Sequence, residues 1–260
     1  ALAQDIAYFP ITDLFKRMLG LMEAEISREE QFNLEGILRE TFTPALWYDI
    51  APFFKSFIGL ELDPISAEKI KYLEAENLRR QIFYAVRQAV GAMARARPLV
   101  LVIDDLHWAD ASTLDLLQYL VPLAEEVPIL FVLVTRLEEG ERALGIRDWA
   151  RKEFPSRYKE ILLEPLTMPQ SQQMLGNLLG AENLPSETRD FILARAEGNP
   201  FYIEEVVRWL LERGWIVRED QGWRVVGIID PQELPPTLLG LISARIDRLE
   251  PDLKETLQIA

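Results

Sequence analysis

Asp104, Asp105, His107 and Asp110 lie together in one stretch, LVLVIDDLHWAD, residues 99 to 110. Two adjacent carboxylates after an apolar run suit phosphoryl chemistry. One acid stays ionised beside a hydrated magnesium ion, and its neighbour orients or deprotonates an attacking water. The plain alternative is a strand that ends in a solvated Asp-Asp turn. His107 is the only histidine, and the spacing D-D-x-H-x-x-D could hold a hard divalent ion. Against that, Asp110 competes as a helix cap, and Trp108 beside His107 reads as packing. A structural histidine at a sheet edge is therefore the preferred reading.

Thr135 and Arg136 follow a second apolar run, ILFVLVT, residues 129 to 135. A hydroxyl and a guanidinium there could sense or stabilise a terminal phosphate. A strand end that turns polar on reaching water would look the same. Gly198, Asn199 and Pro200 form a helix-stop, helix-start junction on local grounds. Glu204 and Glu205, in the helix that follows, read as a solvated face.

These residues need a scaffold. LVLVI has the length and composition of a strand buried on both faces of a parallel sheet. In such sheets ligands gather at the carboxyl ends of the strands, where Asp104 and Asp105 fall. Asp110 or Ser112 caps a helix carrying Leu114, Leu117, Leu120 and Val121, and Pro122 ends its pattern. ILFVLVT supplies a second buried strand parallel to the first, and KEILLEPL, residues 159 to 166, a weaker third. Upstream, Ile82, Val86, Ala89, Val90 and Met93 predict one long helix from Ser66 to Pro98. Before that, short helices are expected, joined by loops at Pro44, Pro52 and Pro64. After Leu166 three helices are expected: one opened by a Thr167/Gln170 capping box, one running from Pro185 and Ser186 to Gly198, and one from Asn199 to Gly214. A hairpin from GWIV and WRVV and a last helix near Thr237 follow. The fold class is thus α/β. Residues 1–166 form the sheet domain, 167–214 a helical domain, and 215–260 a hairpin and the start of a further segment.

Composition narrows the function. With no cysteine among 260 residues, disulfides, thiolate metal sites and cysteine nucleophiles are excluded. The net charge of −14 is concentrated in residues 99 to 260, with 28 acidic against 16 basic side chains. That surface repels phosphate backbones, so direct nucleic-acid contact is not expected. No apolar run reaches the length of a membrane span and no leader is seen, so a cytoplasmic location without membrane contact is expected.

LVLVIDDLHWADASTLDLLQYL, ILFVLVTR, EGNPFYIEEVVRWLLERG and LPPTLLGLISARIDRL, in that order and spacing, resemble the STAND class of AAA-type P-loop ATPases. The similarity is greatest to the signalling module attached to class III nucleotide cyclases, Ser/Thr kinases and LuxR-type regulators. The resemblance implies a partial P-loop NTPase sheet, a helical lid and the start of a winged-helix-like segment. It makes Asp104 the magnesium-associated Walker B acid, Asp105 the catalytic acid, and Arg136, beside Thr135, the sensor. Pro200, with Gly198 and Asn199, would close over the adenine. ATP and Mg2+ are the implied cofactors, and self-association and an attached effector domain the implied partners.

One element departs from that pattern. A P-loop needs G-x-x-x-x-G-K-[ST], and none of the 13 glycines is followed by lysine. The expectation is a chain lacking its phosphate-binding loop, an ATPase only within a longer parent. The sheet would then have a gap beside LVLVI and KEILL. A nucleotide-independent scaffold derived from an ATPase is the alternative.

Overall fold

The computed structural model describes residues 8–18, 42–136, 142–179, 185–219, 222–226, 235 and 237–246. The chain divides into two compact units, Ala1–Glu160 and Ile161–Ala260.

In the first unit, α1 (Phe9–Met18), α2 (Pro44–Ile58), α3 (Pro64–Lys71) and α4 (Ala75–Ala96) precede β1 (Leu99–Ile103). Then come α5 (Ala111–Leu120), β2 (Ile129–Leu133) and α6 (Arg142–Glu153). β1 and β2 pair in parallel, from Leu99 opposite Ile129 to Ile103 opposite Leu133. The crossover between them contains α5 and a 3-10 turn, Val121–Glu125, that accommodates Pro122.

Local chemistry explains most boundaries. Thr43 and Asp63 cap α2 and α3, and Pro44 and Pro64 occupy first-turn positions where a missing N–H costs nothing. The expected loop at Pro52 is not found, because Pro52 is buried inside α2. Packing among Ile50, Phe53, Phe54 and Ile58 outweighs a helix-interior penalty of about 3 kcal/mol. The single long helix expected from Ser66 is interrupted between Lys71 and Ala75, where α3 ends and Glu74 becomes the N-terminal boundary of α4. Val86, Ala89 and Val90 of α4 are buried as their spacing requires.

Burial on both faces of β1 is not what the structure shows. Leu101 and Ile103 are buried and line an apolar crevice with Phe15 of α1, Val90 of α4 and Leu117 of α5. Val100 is 57% exposed and Val102 56%, and their cross-strand partners Leu130 and Val132 are exposed too. A strand alternates its side chains, and among the described residues the helices of this unit cover only one face.

The second unit holds α7 (Met168–Leu179), α8 (Ser186–Ala196), α9 (Pro200–Glu212), β3 (Ile216–Glu219), β4 (Gly222–Val225) and α10 (Leu238–Ile246). The three expected helices are present. Their core joins Leu175, Leu179, Ile192, Ile203, Val206 and Leu210. β3 and β4 form an antiparallel hairpin, and the Thr237 hydroxyl accepts the Gly240 N–H at the start of α10. KEILLEPL, by contrast, is no strand. Ile161, Leu162 and Leu163 are exposed, Leu163 by 86%, because no described strand offers them a ladder.

Candidate functional site

The carboxyl ends of β1 and β2 are tied together past their regular ladder. Val134 donates its N–H to the Ile103 carbonyl at 2.9 Å, and Leu106 donates to the Val134 carbonyl at 2.8 Å. Asp104 and Asp105 sit between these two bonds, and Thr135 and Arg136 follow the second strand at the same end. The sequence-predicted residues of this unit are therefore brought to one edge.

Within that edge the three acids differ in duty. Asp110 is the helix cap: its carboxylate accepts the Ser112 N–H at 2.8 Å, the Thr113 N–H at 3.0 Å and the Thr113 hydroxyl. It also accepts the Tyr8 N–H at 3.2 Å, which links the entry of α1 to that of α5. The Tyr8 contact spans 102 residues and carried no sequence signal. Burial pushes the Tyr8 phenol above its ordinary value, opposed by a hydrogen bond with Ser112. Asp104 is exposed and accepts the N–H of Asp105 at 2.8 Å. Asp105 adopts a left-handed conformation, φ 53° and ψ 40°, and begins a 3-10 turn, Leu106–Trp108. That geometry costs a non-glycine residue about 1 kcal/mol, less for an aspartate than for a bulky side chain.

The His107 ring is packed inward, with its side chain 9% exposed and Nε2 3.8 Å from the Asp105 carboxylate. Neither ring nitrogen has a hydrogen-bond partner among the described residues. The Trp108 ring lies 5.5 Å away, tilted by 49°. The described residues contain no group of three or more His, Asp or Glu able to hold a metal ion, so the His107 metal cluster is not formed.

That donor set still suits magnesium bound with a nucleotide. Mg2+ keeps several waters and is held through one or two carboxylates plus substrate phosphates rather than by an all-protein cage. An exposed Asp104 at a strand end, with one oxygen oriented by a backbone N–H, fits that mode. Thr135 turns its hydroxyl onto the Arg136 carbonyl at 3.3 Å, and the Arg136 side chain is exposed.

Gly198, Asn199 and Pro200 belong to the second unit. Glu197 and Gly198 are both left-handed, at φ 47° and 78°. A Cβ on Gly198 would stand 2.4 Å from the Leu166 carbonyl oxygen, so only glycine fits. The Gly198 carbonyl accepts the Leu166 N–H at 2.8 Å. The Asn199 side chain caps α9 through the N–H groups of Phe201 and Tyr202, with Pro200 at the first position. Glu205 is not on a solvated face. It is 5% exposed and bonded to the Arg208 guanidinium at 2.9 Å, which neutralises it, whereas Glu204 is exposed.

Comparison with known proteins agrees with the α/β edge. Residues 2–132 match the family described as AAA ATPase domain, and the chain belongs to that family. Residues 167–224 match a domain of unknown function. An uncharacterized protein of Rhizobium meliloti (strain 1021) is 24% identical over 135 residues, covering 51% of this chain. The match spans only 12% of that relative's length. No solved structure matches the chain. No helix among the described residues is long and apolar enough to cross a membrane.

Proposed function

We propose that the chain supplies the magnesium and water side of an ATP site in a larger STAND-type signalling ATPase. The observation that carries the reading is the pair Asp104-Asp105 at the end of a parallel strand of an AAA-family chain, with Thr135 and Arg136 at the end of the next. Asp104 holds the hydrated cation, which when bound draws charge from the terminal phosphates. Asp105 orients the attacking water and accepts its proton. Arg136, with Thr135 beside it, reports the terminal phosphate. Pro200, on the turn built by Gly198 and Asn199, is the base-contacting residue that the family resemblance implies.

The phosphate cradle comes from residues outside these 260, since no glycine here precedes a lysine. In the assembled protein the ATP state favours self-association and sets the output of an attached effector by shifting a population. Titration calorimetry separates the parts: Mg-ATP gives no micromolar binding to this chain and binds the full-length protein. Micromolar affinity of the 260-residue chain itself would overturn this division of labour.

The missing Gly-Lys favours a second reading, a nucleotide-independent scaffold that keeps the fold for protein contacts. A full-length protein that neither binds nor hydrolyses ATP would establish it.

A further inference from the structure

We propose that His107 is the positioning residue for Asp105: its Nε2–H donates to the Asp105 carboxylate and fixes that carboxylate's direction at the strand end. The functional meaning rests on Asp105 as the water-directing acid, while the contact itself rests on geometry alone.

The argument begins with what each acid of the turn already does. Asp110 is saturated by backbone and hydroxyl donors, and Asp104 accepts the N–H of its neighbour. Asp105 has no hydrogen-bond donor among the described residues, and the cationic or donor group recorded against it is His107 Nε2 at 3.8 Å. The two residues have complementary needs. An imidazole side chain buried by nine-tenths holds two unsatisfied nitrogens, and buried polar groups are seldom left so. The carboxylate facing it is 68% exposed and has rotational freedom, so a shift of less than 1 Å on its side brings Nε2 within hydrogen-bond distance.

The backbone makes the imidazole the fixed member of the pair. Leu106 is bonded to Val134, Trp108 to the Asp105 carbonyl at 2.9 Å, and Ala109 to the Leu106 carbonyl at 3.1 Å. The 3-10 turn is thereby locked to the end of β2, and His107 rides on it. The left-handed Asp105 is the bend that returns the chain to this turn, so its own carboxylate and the ring two residues later share one side. A locked donor beside a mobile acid directs that acid. The contact requires an imidazole that carries its proton on Nε2. Trp108, itself 51% exposed, is a ring neighbour and supplies no acceptor, so the carboxylate at 3.8 Å is the polar group nearest to meeting the need of Nε2.

His107 is the sole histidine, so long-range proton–nitrogen spectra of the 15N-labelled 260-residue chain report one imidazole. The expected result is a protected Nε2–H signal in the wild type that is lost in Asp105→Ala and kept in Asp104→Ala. A protected signal that persists in Asp105→Ala, or none in the wild type, overturns the contact. Asp105 is exposed, so its replacement leaves the core intact. In the full-length protein, His107→Ala lowers kcat for ATP about tenfold with KM unchanged. His107→Gln, whose amide reaches where Nε2 does, recovers most of that loss, whereas His107→Asn does not. Equal losses in the Gln and Ala variants overturn the positioning role. The spectra use no nucleotide, so failure of the ATPase reading and failure of the His107 contact give different results.

Discussion

The turn at Asp104–Asp110 and the turn at Glu197–Pro200 use the same backbone device to different ends. Each contains a left-handed acidic residue: Asp105 directly before the Leu106–Trp108 turn, and Glu197 at the C-terminal end of α8. In the second unit the two residues after Glu197 are tied down, Gly198 to Leu166, and Asn199 to Ala196, Phe201 and Tyr202. At the strand end the Asp105 carboxylate and both His107 nitrogens have no hydrogen-bond partner among the described residues. The second turn spends its side-chain amide on capping a helix, whereas the Asp105 carboxylate is exposed at a strand end with the His107 ring as its neighbour. On the proposed function Asp104 and Asp105 are the working residues, while Gly198 and Asn199 build the turn that carries Pro200.

That contrast breaks first at Gly198. Gly198→Ala puts a methyl against the Leu166 carbonyl and forces alanine to a φ of 78°. A loss of about 3 kcal/mol or more in urea unfolding of the second unit is expected. A cost under 1 kcal/mol would mean that the turn is looser than its contacts imply.

Next in size is Asp110→Ala, which removes the acceptor of four hydrogen bonds. Stability of the first unit falls by about 1–2 kcal/mol, and Asn restores part of it. Asp105→Gly moves the other way: relief of the left-handed strain raises the unfolding midpoint by the equivalent of up to about 1 kcal/mol. On the proposed function the same change abolishes ATP hydrolysis by the full-length protein, which a steady-state assay checks. If Asp105→Gly destabilises as much as Asp110→Ala, the distinction between working and structural acids fails.

The smallest effect concerns Asp63. The Ser66 hydroxyl, then the Ser66 N–H, hold its carboxyl below the ordinary value. A depressed folded value means stability that is full above the unfolded pKa and lost as pH falls through the folded one. Ser66→Ala, which leaves the backbone bond, narrows that acid-side loss in pH-dependent unfolding.

Much of this was legible locally. Leu99–Ile103, the Asp110 and Asn199 caps, and the Thr167/Gln170 box are written in neighbouring residues, and the Gln170 side chain accepts the Thr167 N–H at 2.9 Å. What failed depends on distant partners. Pro52 stays helical because the core around it outweighs its propensity. Glu205 is buried because Arg208 neutralises it. Residues 161–163 are apolar enough for a strand yet have no described neighbour to pair with. The candidate site follows the same division: Asp104, Asp105, Thr135 and Arg136 were readable as strand ends. The inward ring of His107 and the bond from Tyr8 to Asp110 were not, since packing between elements sets both.

The central claim is that Asp105 acts on water at an ATP site. Steady-state ATP hydrolysis by the full-length protein carrying Asp105→Asn tests it most directly. The account predicts a kcat lower by about 10²–10⁴-fold with ATP affinity retained, and hydrolysis at the wild-type rate would contradict it.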